Sequence, residues 1–121
     1  MRVALDYTAA LTQQAGIGRY VRELAQALAP LFEPEERLVL WHGRLPKRCA
    51  GPRPGGAAVQ DVELPLSPEW VTRLWQRLRA PLPLEWFTGP LGVSHGPDFV
   101  VPPSRAPSAV TIHDLSFLVV P

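Results

Sequence analysis

Asparagine is absent from the 121 residues, lysine occurs once, at Lys47, and cysteine once, at Cys49. A lone cysteine excludes an intrachain disulfide and suits a reducing compartment. No apolar run approaches the roughly 18 residues that a membrane-spanning helix needs. The first six residues place Asp6 where a signal peptide needs its apolar stretch, so no secretory signal is expected and the chain reads as cytoplasmic. A charge excess is missing too. Twelve basic against 11 acidic side chains leave a formal charge of +1, which gives no support to nucleic acid as a partner. Metal-ligand spacing is lacking as well: His95 and His113 are 18 positions apart, without a nearby cysteine pair or a second histidine one helical turn away. No G-x-S-x-G elbow marks a serine hydrolase.

What is present describes an ordinary globular chain. Hydrophobic residues make up 46% and charged residues 19%, a balance that argues against disorder. The length gives room for one domain, residues 1–121, and one core. Proline and glycine supply 24 residues, but all 15 prolines fall at or after Pro30, so the first stretch is free to build regular structure. The excess of arginine over lysine fits a GC-rich genome or a hot habitat and identifies no function.

Periodicity gives an alternating order of elements. Arg2–Tyr7 reads as a first strand and Thr8–Gly18 as a polar, glycine-containing loop. From Arg19 a helical period starts, with Tyr20, Val21, Leu24, Ala25, Leu28 and Leu31 on one face, ending near Pro30 or Pro34. Arg37–His42 is a second strand whose continuous apolar centre predicts burial on both faces. Residues 43–56 read as a loop rich in Pro, Gly and Arg, either simply solvated or touching an anionic acceptor or lipid headgroup. Ala57–Leu64 is a third strand. Ser67, Pro68 and Glu69 then signal a helix start. In this second helix Val71, Leu74, Trp75 and Leu78 form the packing face. Trp70, Trp86 and the arginines of the same stretch are either solvated or poised at a lipid interface. Gly92–His95 and Ser108–His113 complete the strands. Helices between buried-looking strands predict an α/β fold: a Rossmann-like open, mostly parallel sheet flanked by helices.

Three features fall at ends of strands, where open α/β sheets bind ligands. Gly16-Ile17-Gly18-Arg19 lies between the first strand and the first helix. Such a turn exposes backbone N–H groups at the positive end of the helix dipole and favours phosphate or diphosphate. It is not a G-x-G-x-x-G dinucleotide motif, because Val21 stands where the third glycine belongs. A plain tight turn is the alternative. His95-Gly96-Pro97 ends the fourth strand and His113-Asp114 the fifth. Each histidine is either a structural group or a donor to a ligand oxygen, with Asp114 fixing the turn or orienting its neighbour.

The segments Met1–Asp6, Gly16–Ala25, His95–Pro97 and Val110–Leu118, in this order, resemble the start of a GT4-type glycosyltransferase. That family contains retaining, sugar-nucleotide-dependent enzymes of the GT-B fold, in which two Rossmann-like domains face a cleft. The resemblance implies an acceptor-side N-terminal domain, with a C-terminal donor-binding domain missing and Pro121 a truncation or cut. It implies a nucleotide-sugar donor as substrate, a glycan or lipid-linked acceptor, and no tightly bound cofactor or metal. The setting it implies is bacterial cell-envelope polysaccharide assembly, in the cytoplasm or peripherally at the inner face of the membrane. Carried over by position, Gly16 and Gly18 match the loop that approaches the donor diphosphate, and His113 matches the histidine beside the reacting carbon. Asp114 adjoins it, while Arg19 and His95 match the pattern without a fixed role. A non-catalytic α/β module for a phosphorylated ligand is the alternative from a different class, and a hydrolase using His113 and Asp114 a third.

Overall fold

A computed structural model of the chain describes residues 1–12, 16–45, 54, 56, 58–79, 81–97 and 102–111. Among these residues five strands, β1 (Arg2–Asp6), β2 (Arg37–His42), β3 (Val59–Glu63), β4 (Val93–Gly96) and β5 (Ser108–Val110), form one open sheet. Their spatial order is β3-β2-β1-β4-β5, and all four pairings are parallel. The fold is therefore α/β and Rossmann-like, as the alternation of periods predicts, and every pairing in the sheet is parallel.

Helices cover both faces, as an all-parallel sheet requires. Helices α1 (Thr8–Thr12) and α2 (Ile17–Leu28) follow β1. Val21 and Ala25 of α2 and Ala10 and Leu11 of α1 close over Leu5, Tyr7, Leu38 and Leu40. Helices α3 (Pro68–Thr72) and α4 (Glu85–Thr88) lie between β3 and β4. On that side Trp75, Leu64 and Leu84 pack with Ala4 and Trp41. Trp75 meets Trp41 edge to face at 6.1 Å and Phe87 at 5.9 Å, and its indole N–H donates to the Leu82 carbonyl at 2.8 Å. Alternate residues of β1 and β2 thus serve two cores, which is why Leu38–Trp41 reads as an unbroken apolar run.

Three local expectations are corrected. The stretch after β1 is not all loop. The Asp6 carboxylate accepts the Thr8 amide at 3.0 Å and so caps a short helix, whose Ala10 and Leu11 are buried. Five residues are too few to display a helical period. The first long helix also starts earlier than Arg19, at Ile17. In the second helical region Ser67 caps α3 by accepting the Trp70 amide, as its sequence predicts. Residues Arg73–Arg77 then form a π turn, in which the Leu78 amide donates to the Arg73 carbonyl at 2.9 Å. The wider turn takes back roughly one residue of rotation. Val71 and Leu74 stay half-buried and Trp75 buried, but Leu78 leaves the packing face and stands exposed.

Candidate functional site

In the order β3-β2-β1-β4-β5 the chain winds outward from β1 on one side and from β4 on the other. The carboxyl ends of β1 and β4 therefore flank the switch point, where side crossovers diverge and leave a crevice. Two expected features stand there. Helix α2 runs back from this edge, and Gly16 is its N-cap. His95 lies on β4, opposite Leu5 of β1 in register and thus on the α2 side of the sheet.

Gly16 is exposed, with φ +63° and ψ −124°, a conformation that side-chain-bearing residues rarely adopt. Among the described residues no atom lies within 4 Å of where its Cβ would stand. Glycine is favoured there by the backbone conformation. The first turn of α2 has no acidic residue, and among the described residues no side chain caps it, so none of them offsets its positive end. Gly18 is buried inside the same turn and packs. Arg19 points outward and pairs with Glu23 at 3.2 Å, one turn on. Gly16 is thus an exposed N-cap, while Gly18 and Arg19 have local roles.

The His95 Nε2 is hydrogen-bonded to the Thr111 hydroxyl at 2.7 Å, and the Tyr20 hydroxyl lies 3.4 Å from the same Thr111 oxygen. Burial lowers the His95 pKa below its ordinary 6.5. The ring is accordingly neutral near pH 7, with one nitrogen to donate and one to accept. Tyr20 comes from the first turns of α2, His95 from β4, and Thr111 from the residue after β5, whose amide donates to the Gly96 carbonyl at 2.9 Å. Tyr20 and Thr111 were not among the expected site residues. The signal for Tyr20 is a phenol at the edge of an apolar helical face, and for Thr111 a hydroxyl two positions before His113. His113 and Asp114 lie outside the described residues.

The third histidine is placed elsewhere. His42, at the end of β2, is buried, donates from Nδ1 to the Gly43 carbonyl at 2.7 Å, and has Nε2 3.5 Å from an Asp61 carboxylate oxygen. A groove lined by Phe32, Glu33, Arg37 and Ala58 opens at the amino end of β2, the opposite edge of the sheet. There Arg37 already donates to the carbonyls of Pro34 and Glu36. Among the described residues no group of three His, Cys, Asp or Glu side chains could hold a metal ion, and no helix is long and apolar enough to cross a membrane.

The edge thus offers a positive helix end that no described side chain caps, together with a chain of neutral hydrogen-bonding groups, a combination suited to an anion joined to a hydroxyl-bearing ligand. No family model, curated protein or solved structure matches the chain.

Proposed function

We propose that the chain is the acceptor-side half of a retaining, GT-B-type glycosyltransferase that moves a sugar from a nucleotide-sugar donor to a glycan or lipid-linked acceptor. One observation carries the reading. The segments that bear the resemblance are far apart in sequence, yet Tyr20 reaches Thr111, and Thr111 reaches His95, at the switch point of the sheet.

In this reading the open N-terminus of α2 holds the donor diphosphate. Its dipole offsets the charge that grows on the leaving group as the glycosidic bond breaks. The neutral His95 ring and the hydroxyls of Thr111 and Tyr20 hold sugar or acceptor hydroxyls. His113 contacts the transferred sugar near the reacting carbon, with Asp114 beside it. The nucleotide itself rests mainly on a second Rossmann-like domain. Residues 1–121 alone therefore bind weakly and show no turnover, because positioning of both substrates supplies several kcal/mol of the barrier.

The exposed positive end of α2 favours one other reading, a non-catalytic module for a phosphorylated ligand. Titration of labelled protein with inorganic pyrophosphate, nucleoside diphosphates and sugar nucleotides, followed by NMR, separates the two. Glycosyl transfer expects saturable shifts at residues 16–20 and at the His95 ring, larger with a preferred sugar nucleotide than with pyrophosphate. Equal shifts with every phosphate favour the binding module. No saturable shift removes both.

A further inference from the structure

On the face of the sheet opposite the His95 cluster, α3 and the π turn display an apolar strip beside three arginines. Trp70 is 55% exposed and Leu78 71% exposed. In a continuous α-helix, at about 100° per residue, Leu78 would stand some 80° from Trp70, next to Val71 on the packing face. The π turn takes back roughly one residue of rotation, which brings Leu78 into line with Trp70 and out toward solvent. Local irregularity has here turned a core position into a surface one.

The charges run alongside. Arg73 lies over the Trp70 ring, 5.1 Å from its centroid. Arg73, Arg77 and Arg79 are exposed, and among the described residues none forms an ion pair. Over 68–79 the sole acid is Glu69, in the first turn, so three cations against one anion leave +2. Arg79 also holds φ +52°, a left-handed conformation that disfavours every residue but glycine and a few others. An exposed cation is thus kept where glycine would fit with less strain.

From this geometry we infer that the Trp70–Leu78 strip, with Arg73, Arg77 and Arg79, docks the protein on an anionic lipid surface. The Trp70 ring lies at headgroup depth, Leu78 enters the acyl boundary, and the guanidinium groups meet lipid phosphates. The alternation of indole and aliphatic groups with unpaired arginines matches such an interface in both polarity and charge. The inference stands apart from the reading of the sheet edge, since its residues lie on the other face.

Co-sedimentation of the full chain with vesicles tests it. Vesicles of phosphatidylcholine with about 30% phosphatidylglycerol should bind the protein at about 0.05 M salt, and binding should fall at least fivefold at about 0.5 M, where the Debye length is short. Pure phosphatidylcholine should bind at least tenfold more weakly. The combined Arg73→Gln, Arg77→Gln and Arg79→Gln variant should lose at least tenfold on anionic vesicles. Leu78→Gln alone should lose several-fold. All four positions are exposed, and unchanged circular dichroism confirms folding before binding is read. No binding at low salt overturns the inference. So does equal binding to neutral vesicles, or undiminished binding by the arginine variant. A dimer that Leu78→Gln dissociates, without vesicle binding, assigns the strip to self-association and overturns it too.

Discussion

The Thr111 hydroxyl stands 2.7 Å from the His95 Nε2, across the β4–β5 pairing and at the carboxyl edge of the sheet. It holds an imidazole that burial keeps neutral. The consequence for stability has a definite sign. The folded His95 binds its proton less readily than the unfolded one, whose value is near 6.5. Stability from this group is therefore present above pH 6.5 and is lost as pH falls through 6.5 toward the lower folded value. Urea unfolding at a series of pH values should show a slope in that window that flattens in His95→Gln. An unchanged slope would mean that His95 is not the desolvated group.

Thr111→Val keeps the shape of the side chain and removes its hydroxyl. It removes the hydroxyl that meets a partly buried ring nitrogen at 2.7 Å, at a cost of about 1–3 kcal/mol. Because the two residues touch, the loss in a Thr111→Val, His95→Gln double variant should be clearly less than the sum of the two single losses. Additive losses in denaturant midpoints would show that the hydrogen bond does not couple them.

Gly16→Ala separates conformation from crowding. A methyl group there meets no atom of the described residues within 4 Å, so the expected loss of stability comes from the backbone at φ +63° and ψ −124°. About 1–3 kcal/mol is expected. In the proposed site the same change also disturbs the open amides ahead of α2, so the diphosphate-induced shifts at residues 16–20 should shrink.

How far these features can be read from sequence depends on what each one rests on. Leu38–Trp41 is legible as a doubly covered strand because its own run of apolar residues records burial on both faces. The Ser67 cap is legible because side chain and backbone are three positions apart. Helices α1 and α4 are not, since five and four residues hold less than two turns of period. Leu78 misleads because its spacing from Val71, Leu74 and Trp75 is helical while the backbone between them widens to a π turn. Gly16 and His95 stand out by type and by position at strand ends. Their association with Tyr20 and Thr111 does not, because it follows from the spatial order of β1, β4 and β5, which periodicity along one chain does not encode.

Trp75 is the strongest single tie between α3, α4 and the sheet, through its edge contacts with Trp41 and Phe87 and its bond to the Leu82 carbonyl. Trp75→Ala should cost about 3–5 kcal/mol by opening a cavity at the centre of that core. Trp75→Phe should cost less, since it keeps an aromatic ring and loses mainly volume and the N–H donor. Equal midpoints for both variants in thermal unfolding would contradict a packed core on this side.

Arg79→Gly tests whether strain is retained for a purpose. The residue follows Leu78, the C-cap of the π turn, in a left-handed conformation that costs a side-chain-bearing residue about 1–2 kcal/mol. Glycine removes that strain but enlarges the freedom of the unfolded chain, so the net gain should be positive and below about 1 kcal/mol. The same variant should bind anionic vesicles less well than the parent chain. A more stable protein that binds lipid worse is the signature of a residue held for its charge. A destabilised variant would show that the Arg79 side chain packs.

His113 carries the sharpest prediction for the proposed reaction. It follows Thr111 by two positions in the sequence and lies outside the described residues. A group that contacts the transferred sugar near the reacting carbon acts more strongly in the transition state than on the bound substrate. In a transfer-competent protein containing this chain, His113→Ala should therefore lower kcat by roughly 100-fold or more, in line with loss of a positioned catalytic group, while the acceptor KM changes little. His95→Gln should do the opposite and raise KM more than it lowers kcat, because its neutral ring is assigned to holding hydroxyls. A near-parental kcat for a folded His113→Ala protein would remove His113 from the chemistry, and an equal kcat loss in both variants would erase the division of labour between them.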